Sequence, residues 1–217
     1  MYDVALYGHL VFDTITINNE SREVGGIVNV WKSLGQINPK LKIYNCPTSI
    51  GTSSILINKL LSKRESISRL NEINVSIIIK EAKISHIAYI NEIIDPSFIN
   101  NLTGHVAADI CSGEIIDLSK FPKINTLFVS EEDLGLIYNL DTFKGDLIIH
   151  GPKSSYYKNG SNYSVYHHTE YLKNINVLGA GDYYAAQYID GILKGKVPSE
   201  NIIEAHIKTT KYLKDRK

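Results

Sequence analysis

Short apolar runs alternate with helix-like segments along the whole of this 217-residue chain. The candidate strands are residues 3–8, 41–45, 75–79, 85–90, 106–111, 125–129 and 147–150. In a chain of this kind each helix carries the backbone back along the sheet, so that successive strands run parallel. We therefore expect an α/β fold with a doubly wound, mostly parallel sheet that has helices on both faces.

The segments between the candidate strands carry helix signals. Helices are expected after Gly26, from Thr52 or Ser53, from Asp95-Pro96, near Leu134, after Gly179 and from Pro198-Ser199. The second of these rests on an apolar face of Ile55, Leu56, Leu60 and Leu61. Asn159-Gly160 lies between two tyrosine-rich runs and predicts a β-hairpin. There is no internal repeat or linker-like segment, so residues 1–217 are expected to form a single domain.

The composition argues against several classes of partner. The 23 basic and 23 acidic residues balance, so no general field attracts nucleic acid or an anionic membrane surface. No window approaches the roughly 18 apolar residues that a membrane span needs. Cys46 and Cys111 are too few for a disulfide framework or a cysteine metal site. The cytoplasm is therefore the expected location.

The turn before the penultimate helix carries the strongest chemical signal. Gly179, Ala180 and Gly181 have almost no side chain, so a phosphate could approach their backbone N–H groups at a helix start. Asp182 follows in the first turn. A carboxylate repels a bound phosphate, whereas a base that deprotonates a substrate hydroxyl must stand beside it. The turn therefore favours phosphoryl transfer, although glycine and aspartate also occur at helix starts without a ligand.

Glycines also follow other candidate strands, at Gly8, Gly26 and Gly151. Ligands bind beyond the carboxyl ends of parallel strands, so we expect these turns and the one at Gly181 to border one crevice. Other chemistries lack a motif in this sequence. It contains neither a Walker A loop nor a Gly-x-Ser-x-Gly elbow, and its seven histidines do not pair with carboxylates at metal-ligand spacing.

Several motifs stand in the order found in a known family. They are Gly8 with Asp13 five residues later, Gly25 and Gly26 followed by Asn29, Leu34-Gly35, and the run Asn176-Val177-Leu178-Gly179-Ala180-Gly181-Asp182. On these residues the chain resembles the ribokinase-like (PfkB) carbohydrate kinases. Chance matches to short motifs should not fall in register at both ends of one α/β chain.

The resemblance implies a role for each matched position. Asp182 would be the base that takes a proton from the acceptor hydroxyl, and Gly179, Ala180 and Gly181 would form the anion hole. The acceptor, a small sugar or nucleoside-like molecule, would be bound by Asp13, Gly25, Gly26 and Asn29. ATP would lie near His150, Gly151 and Asn176, and Mg²⁺ near Asp133. These roles define a phosphotransferase with an alcohol group as acceptor.

The sequence departs from the family pattern in two respects. Asn176 replaces an aspartate, Val177 and Leu178 replace threonines, and Ser130 with Asp133 replaces an asparagine and a glutamate. Only residues 14–24 are available for the lid strands that relatives insert before the Gly-Gly pair, so we expect these strands to be reduced or absent. The oligomeric state stays open, with a homodimer as one candidate. The alternative function is a non-catalytic or attenuated ribokinase-fold protein that binds a nucleotide or small molecule.

Overall fold

The computed structural model describes residues 1–216 apart from 17–19, 59–62, 72–76, 94, 112 and 170–171. The strands are β1 (Tyr2–Thr16), β2 (Glu20–Gly26), β3 (Ile43–Asn58), β4 (Lys63–Asn71), β5 (Ala82–Ala88), β6 (His105–Asp109), β7 (Ile116–Asp117), β8 (Thr126–Ser130), β9 (Ile137–Tyr138), β10 (Asp146–His150), β11 (Ser154–Asn159) and β12 (Asn162–His167). The α-helices are α1 (Ile27–Ile37), α2 (Ala180–Leu193) and α3 (Pro198–Asp215). Short 3₁₀ helices cover Ile90–Glu92, Pro96–Asn101, Leu118–Lys120, Glu131–Leu136 and Leu140–Thr142.

Most strands join one mixed sheet in the order β12-β11-β10-β8-β6-β5-β1-β3-β4, with β2 paired to β1. The pairs from β10 through β8, β6, β5 and β1 to β3 are parallel. The outer pairs, including the hairpin of β11 and β12 at Asn159-Gly160, are antiparallel. This confirms the expected α/β fold with a mostly parallel sheet.

The two faces of the sheet are covered by different kinds of helix. Val4, Leu6 and Phe128 point to one face, where they pack against α1, α2 and α3. Ala5 and Tyr7 point to the other face, which is covered mainly by the 3₁₀ segments and the loops between them. Both sets are buried, as expected for parallel strands that are covered on both sides. In the described residues, the helix expected near Leu134 is a 3₁₀ turn that leads into β9.

Two strands continue past the central sheet. β1 pairs with β5 over its first half and with β2 over Leu10–Thr16, while β3 follows it along the other edge. The far part of β3 pairs with β4. We call residues 9–16, β2, residues 50–58 and β4 the lid. Its inner face buries Ile15, Ile55 and Ile57, and Leu178 packs against them.

The structure corrects two of the expectations for this region. The helix predicted from Thr52 or Ser53 is wrong, because residues 52–58 belong to β3 and alternate between buried and exposed positions. That period of two belongs to a strand, and the serine, threonine and isoleucine residues there suit a paired strand. The lid is therefore not absent: the hairpin before Gly25 is short, but β3 and β4 add a second pair of strands. Leu60 and Leu61 lie outside the described residues.

The candidate strand at 75–79 lies partly outside the described residues, and 77–79 are not in a strand. Among the described helices, none has the length and apolar character needed to cross a membrane.

Candidate active site

A cavity of about 290 Å³ opens where four neighbouring strands end. Tyr89 follows β5, while Asp109, Ser130 and His150 end β6, β8 and β10, and all four residues line the cavity. The other wall consists of the Gly179 turn and the first residues of α2. This is the place at which open α/β sheets bind ligands.

The turn before α2 has the geometry that its glycines allow. Gly179 is left-handed, with φ 72° and ψ 10°, and it caps the helix without a side-chain hydrogen bond. The Ala180 N–H donates to the Val177 carbonyl at 3.1 Å. α2 then continues to Leu193, so its N-terminus presents backbone donors and a partial positive charge toward the cavity.

Asp182 lies in the first turn of α2 and lines the same cavity. Its side chain is only 5% exposed. The Tyr89 hydroxyl donates to Asp182 Oδ1 at 2.5 Å. The carboxylate is therefore held at the cavity wall, beside the glycine turn rather than away from it.

Tyr89 connects this carboxylate to the lid side of the molecule. Its ring stacks on His9, with 5.0 Å between the ring centroids. Its backbone N–H donates to the carboxylate of Asp109. His9 is buried, and burial lowers the pKa of its imidazole to about 4. His9 Nδ1 lies 3.1 Å from Glu92 Oε2.

His150 and Gly151 line the cavity opposite the turn. The His150 ring stacks on Tyr184 at 4.9 Å, and a Cβ built on Gly181 would lie 3.5 Å from its Cε1. Gly151 has no room for a side chain, because a Cβ there would lie 2.2 Å from the carboxylate of Glu131. Glu131 Oε1 in turn accepts a hydrogen bond from Ser154 Oγ at 2.8 Å.

In both motifs that depart from the family pattern, an altered residue makes a local hydrogen bond. Asp133 Oδ2 accepts from Ser130 Oγ at 2.7 Å, and both residues line the cavity. Asn176 Oδ1 accepts from the Leu178 N–H at 3.0 Å, which shapes the approach to the glycine turn. Asn176 is not among the residues that line the cavity, whereas Ile175 and Val177 are.

The residues assigned to the acceptor lie elsewhere. Asp13, Gly25, Gly26 and Asn29 do not line this cavity. Asp13 is buried in the lid, where Ser53 Oγ donates to it. Gly25 lies directly against that carboxylate, since a Cβ on Gly25 would fall 1.8 Å from Asp13 Oδ2. The structure thus brings Asp13 and Gly25 together but keeps them apart from the lining of the Asp182 cavity.

α3 supplies a polar part of the cavity wall that sequence reasoning missed. His206, Thr209 and Thr210 all line it. His206 Nδ1 pairs with Ser155 Oγ at 2.8 Å, and burial lowers the pKa of this imidazole to about 4. Thr209 is 8% exposed, and its Oγ1 has no hydrogen-bond partner among the described residues.

The charge of the lining is strongly one-sided. The carboxylates are Asp109, Glu131, Glu132, Asp133 and Asp182, and among the described lining residues there is no lysine or arginine. Within the part of the chain that the structure describes, no three His, Cys, Asp or Glu side chains cluster closely enough to hold a metal ion by themselves. These carboxylates therefore oppose an anionic ligand in the described part of the cavity, whereas the N-terminus of α2 favours one.

Tyr89 and Glu131 are the main residues that the motifs did not identify. Both lie at strand ends, so the rule that sites gather there could have singled them out. Asp109 also lines the cavity, at the end of β6, and belongs to none of these motifs. No pattern in the sequence pointed to α3, because its lining residues belong to an ordinary amphipathic helix.

No protein-family model matches the chain, and no curated protein matches it. Solved structures do match it over nearly its whole length. The adenosine kinase from Sinorhizobium meliloti superposes with a TM-score of 0.74 at 12% identity, covering 98% of this chain and 94% of that one. The Methanocaldococcus jannaschii nucleoside kinase, an archaeal member of the ribokinase family, gives 0.69 at 16% identity, covering 99% and 92%.

A third match is a pyrophosphate-dependent kinase in the ribokinase family, in complex with a pyrophosphate analogue and myo-inositol. Its TM-score is 0.66 at 14% identity, and the match covers 97% of this chain and 95% of that one. At such low identity the matches establish the fold. The chain therefore has the ribokinase-like fold, and the resemblance seen in its motifs extends to its three-dimensional structure.

Proposed function

We propose that this protein, as a single domain over residues 1–217, is an ATP- and Mg²⁺-dependent kinase that phosphorylates a hydroxyl of a small sugar or nucleoside-like acceptor. One observation carries the proposal: the Asp182 carboxylate stands in the first turn of a helix, behind the Gly179 turn, at the wall of a cavity. The fold matches, to an adenosine kinase and a nucleoside kinase among others, support the same class of reaction.

The chemistry follows from what each group can do. Asp182 accepts the proton of the acceptor hydroxyl as its oxygen attacks the phosphoryl group. Negative charge grows on the transferred group, and the N–H groups of Gly179 and Gly181 stabilise it together with the N-terminus of α2, which begins at Ala180. The burial of Asp182 keeps competing water away from the base.

The residues of the cavity fit a magnesium nucleotide. The glycine turn leaves the helix N-terminus uncovered, and Thr209 Oγ1 is a buried polar atom that still needs a partner. Mg²⁺ is commonly held by one or two carboxylates together with substrate phosphates. Glu131, Glu132 and Asp133 supply such carboxylates next to the place proposed for the donor. Bound magnesium ATP supplies the phosphoryl group and neutralises the charge between its phosphates and these side chains.

The acceptor is assigned to the lid side. Asp13, with Gly25 against it, gives a buried carboxylate that can bind sugar hydroxyls, and Gly26 and Asn29 follow at the start of α1. Leu178 packs against the inner face of the lid, one residue before the Gly179 turn. An acceptor bound between the lid and the Gly179 turn would therefore reach both Asp13 and Asp182.

Substitution of Asp182 by asparagine tests the proposal. Because the amide cannot take the proton, we expect kcat to fall by about 10²- to 10⁴-fold, with the dissociation constant for magnesium ATP changed by less than about threefold. The acceptor is first found by measuring ADP release with sugars and nucleosides. Asp190→Asn is the matched control, since it removes a buried carboxylate from the same helix outside the cavity lining. Full activity of Asp182→Asn on the best acceptor would overturn the assignment of the base.

The acidic lining favours one alternative, a protein of this fold that binds a ligand without transferring phosphate. Five carboxylates without a lining lysine or arginine repel a free polyphosphate in the described part of the site. Calorimetry separates the two functions. Binding of ATP with magnesium, and none without it, supports the kinase. No binding at millimolar magnesium ATP supports the alternative.

A further inference from the structure

The two oxygens of the Asp182 carboxylate face different groups. Oδ1 accepts the hydrogen bond from the Tyr89 hydroxyl at 2.5 Å. Oδ2 faces the glycine turn, since a Cβ built on Gly179 would lie 3.8 Å from it. Oδ2 is therefore the oxygen on the side where the phosphoryl group is proposed to bind.

Tyr89 is fixed on several sides. Its backbone N–H donates to the Asp109 carboxylate, its ring stacks on His9, and the residue is 9% exposed. Its backbone is left-handed, with φ 58°. A bulky residue rarely adopts that conformation, and strain of this kind persists where the surrounding contacts require it. The hydroxyl is thus a fixed donor rather than a mobile one.

We propose that Tyr89 is a positioning residue for the base. Its hydroxyl holds Oδ1 so that Oδ2 stays directed toward the acceptor hydroxyl, and its hydrogen bond keeps the carboxylate ionised in moderately acidic solution. Hydrogen bonds to a carboxylate favour the charged form and restrict its rotation. This inference rests on the proposed function, because it takes Asp182 to be the base.

The charges around Asp182 make such a donor important. The other titratable groups that line the cavity are Tyr89, Asp109, Glu131, Glu132, Asp133, His150, Tyr184 and His206. Four of these groups are carboxylates, which oppose another negative charge in the same cavity. The neutral phenol on Oδ1 counters that repulsion without adding a cation that would bind the donor phosphates.

Tyr89→Phe removes the hydroxyl and keeps the ring that stacks on His9. We expect kcat to fall about tenfold, because the carboxylate loses its orientation, while the KM of the acceptor changes less than twofold. We also expect the acidic limb of the kcat/KM profile to move up by about one pH unit, since the charged form loses one hydrogen bond. A kcat and an acidic limb equal to those of the unsubstituted protein would overturn the proposal.

Tyr188→Phe is the matched control. Tyr188 is a buried tyrosine of α2 that packs edge-on to Phe128 and does not line the cavity. Its variant should keep the original kcat and pH profile. Equal changes in the two variants would show a general effect of losing a buried hydroxyl and would overturn the specific role of Tyr89.

A titration without turnover separates this proposal from the proposed function. The ¹³C carboxyl signal of Asp182 is identified by its loss in Asp182→Asn, and its midpoint should rise by about one pH unit in Tyr89→Phe. An unchanged midpoint overturns the role of Tyr89 even if Asp182 is the base. An active Asp182→Asn overturns the base even if the midpoint moves. If Tyr89→Phe does not fold, 3-fluorotyrosine at position 89 gives a stronger donor of similar size and should lower the midpoint. An unmoved midpoint would again count against the proposal.

Discussion

The proposed donor side and the proposed acceptor side of the candidate site are built in different ways. On the donor side, the glycine turn and Asp182 come from one continuous segment, and the ends of four neighbouring strands complete the cavity. On the acceptor side, Asp13, Gly25 and Ser53 come from three different strands of the lid, and Asp13 lies against both of the other residues. The first site depends on local backbone geometry, whereas the second depends on strand pairing over long distances.

The motifs named residues on both sides, but they describe the geometry of the turn better than that of the lid. A glycine before a helix fixes its own surroundings, so the short run at 179–182 carries most of the information about its geometry. Asp13 depends on the register between β1, β2 and β3, which a short motif does not encode. The predictions below test the contrast between the two sides, from the largest expected effect to the smallest.

Each side contains one buried histidine with a pKa of about 4, His9 toward the lid and His206 on α3. In the unfolded chain a histidine binds its proton near pH 6.5. In the folded state each histidine binds its proton only near pH 4. The free energy of unfolding therefore decreases as the pH falls from about 6.5 to about 4. Each histidine should contribute a loss of about 2 to 3 kcal/mol between pH 7 and pH 4.5.

Urea unfolding of His9→Gln, His206→Gln and the double variant at pH 7 and pH 4.5 measures these losses. The double variant should lose the least stability on acidification. If it loses as much as the unsubstituted protein, the two histidines are not the groups that take up protons. If only one of the two single variants loses stability on acidification, the histidine that remains in that variant is the group that takes up the proton.

Asp13→Asn should separate the acceptor side from the donor side in kinetics. It keeps the size of the side chain but removes the charge that strengthens hydrogen bonds to acceptor hydroxyls, so kcat/KM for the acceptor should fall by about 10- to 100-fold. The dissociation constant for magnesium ATP should stay the same. A weaker binding of the nucleotide, with an unchanged kcat/KM for the acceptor, would reverse the assignment of the two sides.

Two alanine substitutions compare the glycines of the two sides. Gly25→Ala places a Cβ against Asp13 Oδ2, so it should cost about 1 to 3 kcal/mol of unfolding free energy through overpacking. Gly179→Ala meets no close atom, and its left-handed backbone alone should cost about 1 kcal/mol. Adding Asp13→Ala should restore the unfolding free energy lost in Gly25→Ala but not that lost in Gly179→Ala. Urea unfolding of the two double variants measures this difference. Rescue of both or of neither would contradict this distinction.

Glu204 provides the smallest effect and lies outside both sides. Lys196 and Lys208 bind its carboxylate and lower its pKa to about 2. The group is more than a third exposed, so Glu204→Gln should cost less than about 1 kcal/mol at pH 7. The folded pKa is depressed, so the contribution of Glu204 disappears as the pH falls below about 4. A larger loss in urea unfolding, or any change in kcat, would show that α3 transmits effects to the cavity.

The fold could be predicted from the sequence more fully than the candidate site. Several strands were predicted because buried parallel strands are rich in apolar residues, as residues 4–7 of β1 and 127–129 of β8 show. The second half of β3 was mistaken for a helix because residues 55 and 56 are both apolar, and their opposite orientations emerge only from pairing with β1. Tyr89 was missed for a related reason, since its contact with Asp182 joins residues 93 positions apart.

The continuity of β1 and β3 has a mechanical consequence. Both strands pass without interruption from the central sheet into the lid, and their pairing shifts register between Gly8 and His9. Among the described residues, β1 and β3 join the two parts without a linker, so we expect the lid over the proposed acceptor site not to swing as a separate flap. We expect a closing movement of the lid to twist β1 and β3 at the register shift between Gly8 and His9. This shift lies next to the stacked rings of His9 and Tyr89. Binding of an acceptor under the lid would thereby change the position of Asp182, the proposed base, through the backbone of these strands.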